Sequence, residues 1–251
     1  MIKVLNHFFS TNRSALWFDR NRFIILGVSV LMFFMFPTFL ETVINPWISQ
    51  AIYISLIVLA SINLMQSVRR KIIFSMLGVL AFSLLWGIRL FGEATELYEI
   101  FLFGSFTVFF SVITYNLFGQ MRRIEKIDEA MVIASVTGYL LLGTLAFLTF
   151  CITEMLFPGS FTITEKLISE HQEIDSLVDM TKYSKHIISD LFYFSFISMS
   201  TIGYGDIYPI SQVAKKVAIL IGIIGPFYMA IVVATLVGKS MSNESSKSRK
   251  H

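Results

Sequence analysis

The sequence predicts an all-α membrane protein with six transmembrane helices and one shorter helix that enters the bilayer without crossing it. Three observations predict it. The 251 residues are 55% hydrophobic, include 25 Phe and are only 15% charged, with a mean hydropathy of +0.71. The apolar residues fall in runs long enough to cross a hydrocarbon core, about 20 residues at about 1.5 Å each for about 30 Å. Basic residues concentrate in alternate connections, as the positive-inside rule requires. A soluble domain of this size could not hide so much apolar surface.

Residues 1–22 carry Lys3, Arg13, Arg20 and Arg22. The run after them is too long for a signal-peptide core and lacks a small-residue cleavage site, so it reads as a retained helix. Leu5, Phe8, Phe9, Leu16, Trp17 and Phe18 suit either a surface helix over 2–19 or a loosely ordered tail. Spans are expected near 23–40, 47–66, 72–91, 97–119, 131–157 and 211–237. Between the last two, residues 187–200 form a shorter apolar helix, with Ser189 or Asp190 as its N-cap. Irregular backbone at membrane depth is tolerated only where protein or water surrounds it. A short helix followed by an extended segment meets that condition.

With the N-terminus inside, 14 of the 20 basic residues are cytoplasmic, among them Arg69, Arg70, Lys71, Arg122, Arg123, Lys126 and Lys239. The other side holds Glu41, Glu93, Glu96 and Glu99. A multi-pass cell-membrane protein with both termini cytoplasmic is expected. Arg89, near the outer end of the third span, can pair with Glu93 one turn on or snorkel to the headgroups; an ion pair between helices is the alternative. Glu154 lies near the outer interface, as a surface group or a partner for the loop beyond. Residues 97–119 contain no Lys or Arg, so they lack the charges that steep voltage sensing needs.

Cys151, the single cysteine, reads as a small buried hydrophobe and excludes an intrachain disulfide. No Ser/His/Asp set, Cys/His metal spacing or phosphate loop appears. The expectation is a non-enzyme with no cofactor and no nucleic-acid partner. The tail from Lys239 is a short Ser/Lys-rich stretch without room for a soluble regulatory domain.

Thr201-Ile202-Gly203-Tyr204-Gly205-Asp206 is the most informative stretch. A pore that strips water from K⁺ must offer stacked rings of oxygen in its place. Consecutive carbonyls face one axis only if the backbone alternates hand, and Gly203 and Gly205 permit φ > 0 without steric cost. Tyr193-Phe194 and Ser198-Met199-Ser200 precede the hexapeptide, and Ile207-Tyr208-Pro209 follows it. Together these residues resemble the pore signature of the tetrameric potassium channel superfamily, in a six-helix subunit with one pore loop and no charged sensor.

That resemblance implies a selectivity filter at Thr201, Ile202, Gly203, Tyr204 and Gly205, with K⁺ held at Thr201 through Tyr204. Asp206, Tyr193 and Phe194 would support the filter, Tyr204 packing behind it. It implies a gating bend at Gly225-Pro226, with a static packing kink as the other reading. Ile197 departs from members that carry a Glu pairing with the acid at Asp206. One filter per chain implies a homotetramer of this chain and three further copies in contact with membrane lipids, K⁺ being the permeant ion. The expected division is 1–22 cytoplasmic, 23–119 a four-helix domain, 120–130 a linker, 131–238 the pore domain and 239–251 a cytoplasmic tail. Glu165, Glu170, Glu173, Asp175 and Asp179 make the loop before the pore helix an acidic turret. A divalent-ion site there and pH sensing by His171 or His186 are the alternatives. The expected function is passive K⁺-selective conduction without steep voltage dependence. The competing readings are a weakly selective cation channel and a ligand- or lipid-sensing receptor with the pore as readout.

Overall fold

The computed structural model describes residues 21–40, 58, 74–80, 83, 96–122, 129–163 and 177–248. The expected surface helix over 2–19, most of spans 47–66 and 72–91, Arg89 with Glu93, and the acidic residues of 164–176 lie outside them. Residues 58, 74–80 and 83 are helical.

Five longer helices follow in order: α1 (Arg22–Leu40), α2 (Glu96–Met121), α3 (Glu129–Leu156), α4 (Leu177–Met199) and α5 (Gln212–Ser248). Among the described residues, three stretches are long and apolar enough to cross a membrane: Ile100–Met121, Glu129–Leu156 and Gln212–Lys239. In lipid a helix must satisfy its own backbone, and α2 and α3 do so without an internal proline. Glu129 in the first turn of α3 complements the positive end of the helix dipole.

Two boundaries differ from expectation. Helix α4 begins at Leu177, so Ser189 and Asp190 are interior residues and not its cap. No Gly or Pro interrupts 177–190, and the polar first half therefore propagates as helix. Helix α5 likewise runs through Pro226 and on to Ser248, converting most of the expected tail into helix. Nothing after Gly238 breaks it.

The chain divides into two compact units, Met1–Ser83 with Val112–Gly138 and Gly238–His251, and Leu84–Ser111 with Tyr139–Val237. In the first, Phe23, Leu26 and Val30 of α1 are buried, as are Phe74, Ile113, Leu117, Met131 and Ala134. A Cβ on Gly27 would lie 2.7 Å from Thr137 Oγ1 and 2.8 Å from Ile133 Cγ2, so α1 and α3 meet at the closeness that small residues allow.

The second unit is held by aromatic side chains. Phe150 meets Phe161 at 5.3 Å and Phe194 at 4.9 Å, and Phe161 meets Phe194 at 5.5 Å between ring centroids. Phe147, Phe192 and Phe196 continue the contact at 5.3 and 5.2 Å. Such edge-on and tilted pairs add about 0.5–1.5 kcal/mol each beyond their buried area. Lipid is as apolar as these rings, so shape and contact geometry fix the arrangement.

Hydroxyls within these helices bond their own backbone. Ser135, Thr137, Thr144, Thr149 and Thr153 donate to the carbonyls of Met131, Ile133, Leu140, Leu145 and Thr149 at 2.7–2.9 Å. Each pairing spans one turn, the back-bonding geometry of Ser and Thr in helices.

Candidate functional site

Helix α4 delivers the chain to residues 201–206 and holds their first half by its last carbonyls. Ser200 N–H donates to Phe196 O at 2.9 Å and Thr201 N–H to Ser198 O at 3.2 Å. The carbonyl of Ile197 accepts twice, from Ile202 N–H at 2.9 Å and Gly203 N–H at 3.2 Å. These bonds use the carbonyls that a helix end leaves unpaired. They also tie the position of 201–203 to the last turn of α4.

Backbone hand alternates along the segment. Thr201 has φ 60°, Gly203 52° and Gly205 83°, while Ile202 and Tyr204 have none of the positive values. The glycines meet the requirement read from the sequence, and the alternation starts earlier, at a β-branched residue for which a left-handed backbone is a genuine outlier. Beyond the adjoining residues, no described atom lies within 4 Å of a Cβ built on Gly203 or Gly205. Within one chain the segment is open: Ile202 is 54% and Tyr204 71% exposed. The packing expected of Tyr204 is not made inside a single chain.

The residues expected to flank the segment divide into two roles. Phe194 is buried in the aromatic cluster. Tyr193 is exposed and lies within electrostatic reach of Asp206. Ile197 is buried at 6% exposure and has no polar side-chain group to offer Asp206.

A second set of contacts secures the exit, and composition alone did not reveal it. Glu154, buried at the end of α3, accepts hydrogen bonds from Gly159 N–H at 2.8 Å and Ser160 N–H at 2.9 Å through its two carboxylate oxygens. Gly159 has φ 78°, the left-handed turn that brings both amides to one carboxylate. Phe161 then pairs with Pro209 in an antiparallel bridge. Thr162 N–H donates to Tyr208 O at 3.2 Å, Tyr208 N–H to Thr162 Oγ1 at 3.2 Å and Ile210 N–H to Ser160 O at 2.7 Å. Ser211 caps α5 by accepting Ala214 N–H at 3.1 Å, and its hydroxyl meets that of Ser160 at 2.8 Å. Of these residues, Tyr208 and Pro209 were legible in advance as the stretch after the hexapeptide, and Glu154 as an acid near an apolar helix end; Gly159, Ser160, Phe161, Thr162 and Ser211 were not.

Gly225 also sits in a close contact. A Cβ there would overlap the carbonyl oxygen of Met199 and lie 2.8 Å from Met199 Cγ and 2.9 Å from its carbonyl carbon. Pro226 follows within the same helix and has no N–H to give to the preceding turn.

Among the described residues no three His, Cys, Asp or Glu side chains converge as metal ligands. The oxygen atoms of residues 201–205 are their backbone carbonyls and the hydroxyls of Thr201 and Tyr204.

Residues 150–241, from the last two turns of α3 onward, match the family model described as "Ion channel". A stretch of 31 residues is 61% identical to "Potassium channel K2" of Plasmodium falciparum (isolate 3D7). It covers 12% of this chain and 2% of that protein. No solved structure matches the chain. The chain thus combines helices long and apolar enough to cross a membrane with a segment, 150–241, that is similar to the ion-channel family.

Proposed function

We propose that the chain is one subunit of a K⁺-selective channel that conducts passively across the cell membrane. The observation that carries this reading is the alternation of backbone hand at Thr201, Gly203 and Gly205. An alternating segment can turn successive carbonyls to one side, and a stack of such carbonyls replaces the hydration shell of K⁺. The ion would be held at Thr201, Ile202, Gly203 and Tyr204, with Asp206, Tyr193 and Phe194 as supports. The potassium-channel name of the matched relative favours K⁺ over other cations.

A ring of carbonyls needs four such segments and each chain supplies one, so the working unit is a homotetramer. Exposure supports this: 61% of the membrane window of α3 is buried in one chain, but only 11% of that of α5. Apolar residues such as Ile219, Ile223 and Phe227 stand free along α5, to be covered by the other copies and by lipid. Tyr204 would gain its packing in the same assembly. Six spans with cytoplasmic termini fit the helices and the charge pattern. Helix α2 contains no Lys or Arg, so opening should depend weakly on voltage. A bend at Gly225–Pro226 would move the cytoplasmic half of α5.

The test is the reversal potential of the purified protein in planar bilayers under opposed K⁺ and Na⁺ gradients, scanned over voltage. Reversal near the K⁺ equilibrium potential, with shallow voltage dependence, is expected. Reversal near zero would make the pore non-selective.

A further inference from the structure

The last turn of α4 is pinned by glycines of two other helices. On one side the ring of Phe196 lies over Gly143 of α3: a Cβ at 143 would overlap Phe196 Cε1 and Cζ and come within 2.9 Å of Cδ1. On the other side the carbonyl of Met199 lies against Gly225 of α5. A helix-interior glycine costs about 1 kcal/mol against alanine, so each is placed where nothing larger fits. The two contacts differ in kind. At Gly143 the obstacle is the far edge of a side chain, and at Gly225 it is main chain.

Position here propagates directly. The carbonyls of Phe196, Ile197 and Ser198 accept the N–H groups of Ser200, Thr201, Ile202 and Gly203. A shift of the last α4 turn therefore moves the start of the 201–205 segment with it. Packed interiors transmit such displacements because they have little free volume to absorb them.

We infer that Gly143 and Gly225 are positioning residues for ion discrimination: two glycine seats that set the height and tilt of α4 and so the geometry of the carbonyls at 201–203. The inference rests on the channel reading above and adds to it that selectivity is set in part from α3 and α5. Gly225 is then a fixed point, with any bend in α5 falling on the Pro226 side of it.

The experiment compares Gly143→Ala, Phe196→Leu, the double variant Gly143→Ala/Phe196→Leu, Gly225→Ala and Gly225→Ala/Met199→Ala. Each is checked for assembly by size-exclusion chromatography and read by the K⁺/Na⁺ permeability ratio from reversal potentials. Overpacking at Gly143 should lower the ratio roughly tenfold. Phe196→Leu, which removes the ring edge, should restore it in the double variant. Gly225→Ala should lower the ratio as well, and Met199→Ala should not rescue it, because the obstacle is the carbonyl. A structural defect alone would reduce yield without this pattern of rescue.

A selective wild type with unchanged ratios in assembled Gly143→Ala and Gly225→Ala overturns the seats and leaves the channel reading intact. A wild type that reverses near zero overturns the channel reading and this inference together. Should Gly143→Ala or Gly225→Ala fail to assemble, the double variant decides for Gly143: an assembled double variant with wild-type ratio sustains its seat, and a ratio still lowered overturns it.

Discussion

Thr201 carries a backbone conformation that costs a non-glycine residue about 1–2 kcal/mol, and two positions later Gly203 adopts the same hand with no such cost. Giving Gly203 a Cβ adds that strain to each copy, in the segment that would touch the ion. Beyond Ile202 and Tyr204, no described atom of its own chain lies within 4 Å of the new methyl group. Gly203→Ala should therefore assemble like the wild type by size-exclusion chromatography while losing K⁺ selectivity or current in bilayers. Selective current in the variant would remove Gly203 from the conduction path. The glycines were legible in the sequence because a left-handed φ has so few occupants. The φ of 60° at Thr201 was not, since nothing in a threonine announces a conformation that its neighbours impose.

One carboxylate holds the turn at the end of α3. Ser160 is fully buried, and its amide is satisfied by Glu154, while its carbonyl and hydroxyl hold Ile210 and Ser211. Glu154→Ala should leave that buried amide without a partner, at about 1–3 kcal/mol, and loosen the exit of the 201–206 segment. A lower thermal unfolding temperature in detergent is the expected result. Glu154→Gln, which keeps an acceptor oxygen, should lose less. Equal stability of all three proteins would show that the amide finds another acceptor. Helix positions along α1, α2 and α3 were readable to within a few residues because apolar runs have sharp ends. The start of α4 at Leu177 was not, because its first turns are polar and hydropathy marks only the half from Ile187. The glycine contacts of Gly143 and Gly225 needed coordinates: a glycine in an apolar helix signals a close neighbour without naming it.

At the scale of the whole molecule, one chain leaves α5 largely bare and residues 201–206 exposed. Both are surfaces that four copies around an axis would cover. The expected mass of the protein in detergent, after subtraction of bound detergent, is four times the 28.6 kDa of one chain. A monomer that still conducts selectively would contradict the four-fold ring. Membrane residence was plain from composition, since 55% hydrophobic residues leave no other solvent. The proposed copy number rests on the resemblance of the 201–206 motif, because no property of an isolated chain counts its partners.

The hydroxyls of α3 carry a consequence for how the protein is made. Thr137, Thr144, Thr149 and Thr153 each direct a proton to a carbonyl of their own helix. None of these bonds depends on α4 or α5. A polar group already satisfied within its own segment adds little to the cost of entering hydrocarbon. The threonine hydroxyls of α3 are thus no obstacle to its entering lipid while the rest of the chain is still being synthesised, and its neighbours arrive later to a helix whose hydroxyls already have partners.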